Sequence, residues 1–281
     1  MKKILVVISF LSMSGLFSQV AAIDIFFLKD GMEDEYLELE QVWSEFHKQM
    51  IADGKMYGWS LFKFESVSNS DGDVPHYMTL NRYESLEAMK SAYEGITPEI
   101  FNKILKKRLK GKFTSRQIKN ILETDPKKMH HSYTIELTGQ TMPSVEMEIG
   151  ELINVDAMVQ NVVDYEKFEI NWAMPIFQDN VENGNLKWWG FTKVVNRNDE
   201  ALDEITHFTW RIPVEGKDMN WNSKKYKDMF GGEFTFNKLV GMVQDSRTIL
   251  GNAQLKLITV SYTHLRAHET GRNLVCRLLL E

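Results

Sequence analysis

The sequence predicts an α+β fold in which one β-α-β-β-α-β unit is used twice, and three observations carry that prediction. The first is an internal repeat. Tyr36-x-x-Leu39-Glu40-x-x-Trp43 returns as Tyr165-x-x-Phe168-Glu169-x-x-Trp172 at an offset of 129. Gly54 through Trp59 to Lys63 then returns as Gly184 through Trp189 to Lys193 at 130, and Phe101-Asn102-Lys103 as Phe236-Asn237-Lys238 at 135. The order never changes, so each shift is a small insertion. The second observation is that apolar periodicity switches between that of a strand and that of a helix in the same succession in both copies. The third is punctuation by Asp30-Gly31, Gly54 and Thr97-Pro98 where turns and caps are needed.

In chain order, residues 23–29 form an apolar run that ends at Asp30-Gly31, a strand and its turn. Across 32–53, Tyr36, Leu39, Trp43, Phe46 and Met50 make one helical stripe, closed by Gly54. Residues 57–66 and 74–83 alternate as two strands joined by a long loop. Helical stretches follow at 85–93, from Pro98, and at 114–123, and 132–137 is the fourth strand. The second copy runs in parallel, with a strand at 152–158, a helix at 163–183 that Pro175 should kink, and hairpin strands at 188–195 and 205–212. Helices from about 222 to 250 and a strand at 253–259 complete it.

Strand, helix, strand, strand, helix, strand is the ferredoxin-like unit. Such a sheet has a bare face, and a tandem copy is the obvious cover. Residues 20–259 therefore resemble the dimeric α/β-barrel superfamily, which includes antibiotic-biosynthesis-type monooxygenases, here as an intramolecular barrel with units at 23–140 and 141–259. The resemblance implies a cavity between sheet and helices and leaves the activity open, because that fold hosts many.

Both ends read as something other than barrel. Met1-Lys2-Lys3 and the apolar run 4–16 resemble a secretory signal within residues 1–22, cut after Ser18 or Ala22, which implies an exported protein, periplasmic or extracellular, with no membrane anchor in the mature chain. Residues 260–281 resemble a translated sequencing adapter: 260–270 and 273–281 back-translate to its two ends, separated by the length of a sample index. His264, His268, Glu269 and Cys276, which would otherwise suggest a metal site, fall in this tail. The full chain carries a charge of -6; without the tail and Lys2 and Lys3 it is about -9 and has no cysteine. That excludes disulfides and thiol catalysis and argues against nucleic-acid binding, which depends on Lys and Arg.

Candidate chemistry concentrates on the first helix and the hairpins. Tyr36 and Trp43 lie inside the apolar stripe and read as core. Glu40 lies at its edge with His47 two turns on, an arrangement able to serve proton transfer. The repeat sets Ile176 against His47, so only the first copy would hold that pair. Tyr57, Trp59, Trp189 and Trp210 would suit a flat apolar ligand. His76 and His207 mimic a repeated pair, but an offset of 130 keeps inward residues apolar in both copies and sets His207 against Tyr77. His130 and His131 are adjacent on a strand and point apart. The loop Asn69-Ser70-Asp71-Gly72-Asp73 lacks the first and last acids of an EF-hand. The basic run Lys103, Lys106, Lys107, Arg108, Lys110, Lys112 spreads around its helix and reads as solvated.

These features imply a protein that binds a small, partly aromatic ligand without metal or cofactor, at Trp59, Tyr57, Trp189, Trp210, His76 and His207. Two alternatives are a cofactor-independent monooxygenase-like enzyme using Glu40 and His47, and a structural or partner-binding surface module. The oligomeric state is open.

Overall fold

A computed structural model describes residues 20–68 and 72–262. Most of the signal-like segment, Asn69-Ser70-Asp71 of the acidic loop, and His264, His268, Glu269 and Cys276 lie outside the described residues. The first half comprises β1 (Val20–Leu28), α1 (Glu33–Ala52), β2 (Gly58–Val67), β3 (Tyr77–Tyr83), α2 (Leu86–Ser91), α3 (Pro98–Arg108), α4 (Ser115–Glu123) and β4 (Lys127–Gln140). The second comprises β5 (Leu152–Gln160), α5 (Tyr165–Phe168), a π-helical turn (Glu169–Ala173), α6 (Met174–Glu182), β6 (Leu186–Arg197), β7 (His207–Pro213), α7 (Lys224–Met229), α8 (Glu233–Asp245) and β8 (Arg247–Tyr262).

The eight strands close into an antiparallel barrel in the order β1-β3-β2-β8-β5-β7-β6-β4. Each half contributes a ferredoxin-like sheet, β4-β1-β3-β2 and β8-β5-β7-β6. The edges of one sheet pair with those of the other through β2 with β8 and β4 with β6. Closure leaves no strand edge unpaired. This is the dimeric α/β barrel, with both halves supplied by one chain.

Alternation along the strands sorts the apolar residues into layers. Ile23, Phe62, Met78, Phe208, Trp210, Leu255 and Leu257 point into the lumen, where Trp210 Nε1 donates to Thr192 Oγ1 (2.9 Å). Phe26, Trp59, Leu61 and Tyr77 face the other way and pack under α1 with Tyr36, Val42 and Phe46. In the second half Met158, Trp189 and Phe191 pack with Tyr165 and Phe177. Gly54 and Gly184, at matching helix ends, both adopt left-handed backbone (φ +71° and +69°).

The strand ends depart from the expected bounds. β1 begins at Val20, which pairs with Tyr83 and Glu136 and is 1% exposed. The last helix stops at Asp245 and not near 250, because Arg247, Thr248 and Ile249 pair with Gln160, Val159 and Met158 and so start β8 early. β8 also continues through Val260, Ser261 and Tyr262 opposite Ser60, Trp59 and Gly58, so the first three residues assigned to the tail are strand.

The helix of the second half corrects the repeat itself. A π-helical turn precedes Pro175, and such a turn accommodates one extra residue. The repeat offset changes from 129 to 130 across this segment. Beyond the turn the counterpart of His47 is therefore Phe177, not Ile176. The packing agrees: Phe177 stacks on Trp189 (centroids 4.8 Å apart, planes 10°) as His47 stacks on Trp59 (5.7 Å, 30°).

Candidate functional site

Two matching buried carboxylates define the space between helix and sheet. Glu40 projects from α1 and Glu169 from the π-helical turn, each beside a wholly buried tyrosine, Tyr36 or Tyr165. Their electrostatics differ. Arg247, the first residue of β8, sets its Nε 3.3 Å from Glu169 Oε1. Burial still raises the Glu169 carboxyl above its ordinary value, with Arg247 pulling against it. The matching first residue of β4 is Lys127, whose Nζ lies over the Phe26 ring at 5.0 Å. Among the described residues Glu40 has no ion-pair partner, and burial pushes its carboxyl up to about 7 against the smaller opposing pull of Tyr36 and Lys127. Tyr36 Oη acts on Glu40 through space but makes no hydrogen bond of proper geometry.

Glu40 opens onto a cavity of about 360 Å³ between α1 and the sheet, with Leu37, Gln41, Ser44, Trp59, Leu61, Ile258 and Thr259 around it and Glu45, Lys48 and Lys112 completing the lining. Trp59 is 1% exposed, and its buried Nε1 has no partner. The cavity thus holds a carboxyl able to exist in either protonation state near neutral pH beside the Trp59 side chain.

The residues singled out from sequence distribute unevenly over this geometry. Glu40 and Trp59 meet in the cavity. His47 does not line it: its ring lies between Trp43 and Trp59, its Nε2 is 3.4 Å from Tyr93 Oη, and its Nδ1 is buried without a partner. Burial lowers the His47 imidazole to about 4, so it is neutral. The helix keeps Glu40 and His47 two turns apart in separate surroundings. Tyr57 is half-buried just before β2, and burial and Glu84 raise its phenol. Trp189 is packed solid, while Trp210 lines a second, apolar cavity of about 410 Å³ in the lumen with Phe27, Phe64, Met78 and Phe208.

The two histidines are not equivalent. His76 is exposed, and its Nδ1 accepts from Leu28 N (3.3 Å). His207 and Tyr77 are the true counterparts, first residues of β7 and β3 opposite Met158 and Phe26. Each approaches a carboxylate bound to the repeated lysine. Tyr77 Oη donates to Glu33 (2.6 Å) beside Lys63, and His207 Nε2 lies 3.6 Å from Glu166 beside Lys193. Burial pushes His207 down to about 4, with Glu166 pulling the other way. Asp156 is sequestered by Arg211 (2.6 Å), Thr209 and Asn252. Among the described residues no three His, Cys, Asp or Glu side chains gather closely enough to hold a metal ion.

Sequence reasoning missed Glu45, Lys48 and Lys112 at the cavity and Arg247 against Glu169. Lys112 belongs to the basic run that reads as solvated, and only folding turns it toward α1.

No protein-family model matches the chain, and no curated protein matches it. Among solved structures it is similar to a provisionally named monooxygenase of Fusobacterium nucleatum subsp. nucleatum, at 9% identity over 88% of this chain and 96% of that one, with a TM-score of 0.48. A likewise provisionally named monooxygenase of Lactobacillus acidophilus matches at 9% identity over 87% and 96%, TM-score 0.48. An anthrone oxidase-like protein matches at 10% identity over 90% and 97%, TM-score 0.45.

Proposed function

We propose that this chain, acting after export, binds a small, partly aromatic ligand in the cavity between α1 and the first-half sheet, with Trp59 as platform and Glu40 as a proton-exchanging partner. One observation carries the reading: the buried carboxyl that borders this cavity, Glu40, has no ion-pair partner among the described residues, whereas its counterpart Glu169 is paired with Arg247. A volume of about 360 Å³ suits a ligand of one or two fused rings. Protonated Glu40 would donate to a carbonyl or phenolic oxygen, and burial excludes the water that would compete. Menadione and 2-naphthol, titrated against intrinsic tryptophan fluorescence, should quench it saturably. Affinity for menadione should fall as pH rises through about 7, and Glu40→Gln should remove that dependence. Absence of saturable quenching by either at micromolar concentration would sink the reading.

The same carboxyl favours a second reading, a cofactor-independent oxygenase. A group with a pKa near working pH is suited to general-base catalysis, and Glu40 would take the proton of a bound hydroquinone whose anion adds dioxygen at a ring carbon; the resulting hydroperoxide loses water, leaving one oxygen atom in a hydroxyquinone product. Oxygen uptake that requires both protein and hydroquinone, and that Glu40→Gln abolishes, distinguishes it from binding alone.

A further inference from the structure

The entrance of the first-half cavity carries a charge opposite to that of the chain. Glu45, whose side chain is 8% exposed, receives Lys48 Nζ (2.9 Å), Lys112 Nζ (3.1 Å) and Arg108 Nε (3.2 Å). Burial alone would raise the Glu45 carboxyl, yet Lys48 and Lys112 hold it below its ordinary value. Three cations meet one carboxylate, so the cluster keeps a net charge of two, in a protein whose total is -6. Lys48 and Lys112 both line the cavity and come from different elements, α1 and the turn between α3 and α4. The buried Glu45 fixes where they stand, so these ammonium groups are held at the opening instead of ranging through solvent. Of the basic run, all five lysines stay exposed, Lys112 among them, and only Arg108 and Lys112 reach Glu45. The second half offers no equivalent, since Pro175 and Gln178 occupy the matching positions.

We propose that the ligand of this cavity is an aromatic anion, its carboxylate or phenolate docked on Lys48 and Lys112 and its ring against Trp59 and Leu61. The proposal rests on the ligand-binding reading above and supplies its chemical class. Spare hydrogens on both ammonium groups give charge-assisted bonds to the anion, while the apolar wall and Trp59 take the ring. Glu40 at the same cavity sets the working range, because an ionised carboxylate there would repel such a ligand.

The test compares 2-naphthoate with the neutral 2-naphthalenemethanol, each titrated by tryptophan quenching into the full chain at pH 6 and low salt. Naphthoate is expected to bind more tightly by about fivefold, the scale of two partly exposed ion pairs. That advantage should shrink at high salt, where exposed charges are screened. The Lys48→Gln/Lys112→Gln double variant should lose the preference while keeping its affinity for the alcohol, which also reports an intact cavity. Equal or weaker binding of naphthoate, with the alcohol still bound, overturns the anion proposal and leaves the cavity reading standing. If neither probe binds, both fall.

Discussion

Replacing Glu40 by Gln should stabilise the protein at alkaline pH and leave it unchanged in acid. The burial of Glu40 raises its carboxyl from 4.5 to about 7. Below pH 4.5 the native and unfolded chains both hold the proton and burial adds no electrostatic cost. Between 4.5 and about 7 the unfolded chain releases its proton while the native state keeps it, so stability falls as pH rises. Above that window the whole difference is expressed, about 3 kcal/mol at ~1.4 kcal/mol per tenfold in proton affinity. The glutamine side chain has nearly the same shape and never ionises. Urea unfolding of both proteins across this range should show curves that coincide near pH 4.5 and separate to about 3 kcal/mol by pH 8. The buried histidines titrate in both proteins and cancel in the difference. If the two curves stay parallel across the whole range, Glu40 is not the buried, unpaired acid described here, and the proton-exchange role goes with it.

The other expectations are briefer. His47 sits where the second half has Phe177, so His47→Phe should fold, preserve menadione binding, and reduce the loss of stability seen in urea unfolding as pH falls from 6.5 to about 4, the remainder belonging to His207; lost binding in a folded variant would return His47 to the site. Removing Arg247 strands Glu169, so Arg247→Met should cost about 3 kcal/mol at pH 8 and progressively less as pH falls, because burial already holds the Glu169 carboxyl above its ordinary value, and Glu169→Gln added to it should recover most of the loss in urea titrations. Val20, Ala21 and Ala22 lie in β1, so if the proposed export removes a leader, intact-mass analysis of protein recovered outside the cytoplasm should find Gln19 at the N-terminus; a chain starting at Ile23 would refute cleavage after Ser18.

The fold was legible because the repeat and the periodicities point the same way. The helical stripe of Tyr36, Leu39, Phe46 and Met50 and the alternation around Trp59 and Met78 are each local, and duplication supplied the long-range half of the argument by giving each sheet its partner. Strand ends were less legible. Arg247, Thr248 and Ile249 have no strand alternation of their own and join β8 because β5 offers a free edge, a tertiary cause. The site was half legible. Glu40 stood out by recurring on a helix edge, and Trp59 by recurring in a strand, but partnership does not show in a sequence. Nothing in the letters says that Arg247 reaches Glu169 while Lys127 turns to Phe26, or that Lys112 leaves its basic run to meet Glu45.

The two halves diverge at positions that surround the first-half cavity and its counterpart. In the second, the extra residue of the π-helical turn shifts the register that follows and puts an aromatic ring, Phe177, flat on Trp189. In the first, α1 is continuous, and His47 stacks on Trp59 less closely. At the next charged position the second half answers its buried acid with Arg247 and the first leaves Glu40 to the cavity. Each change alone is an ordinary core substitution. Together they convert the same pair of elements into a packed support on one side and an open, titratable pocket on the other. A gene duplication followed by loss of the site in one copy would produce that pattern. The exchange of Phe177 for His and Arg247 for Lys would therefore restore the polar surroundings of the first half while the inserted residue of the π-helical turn remains.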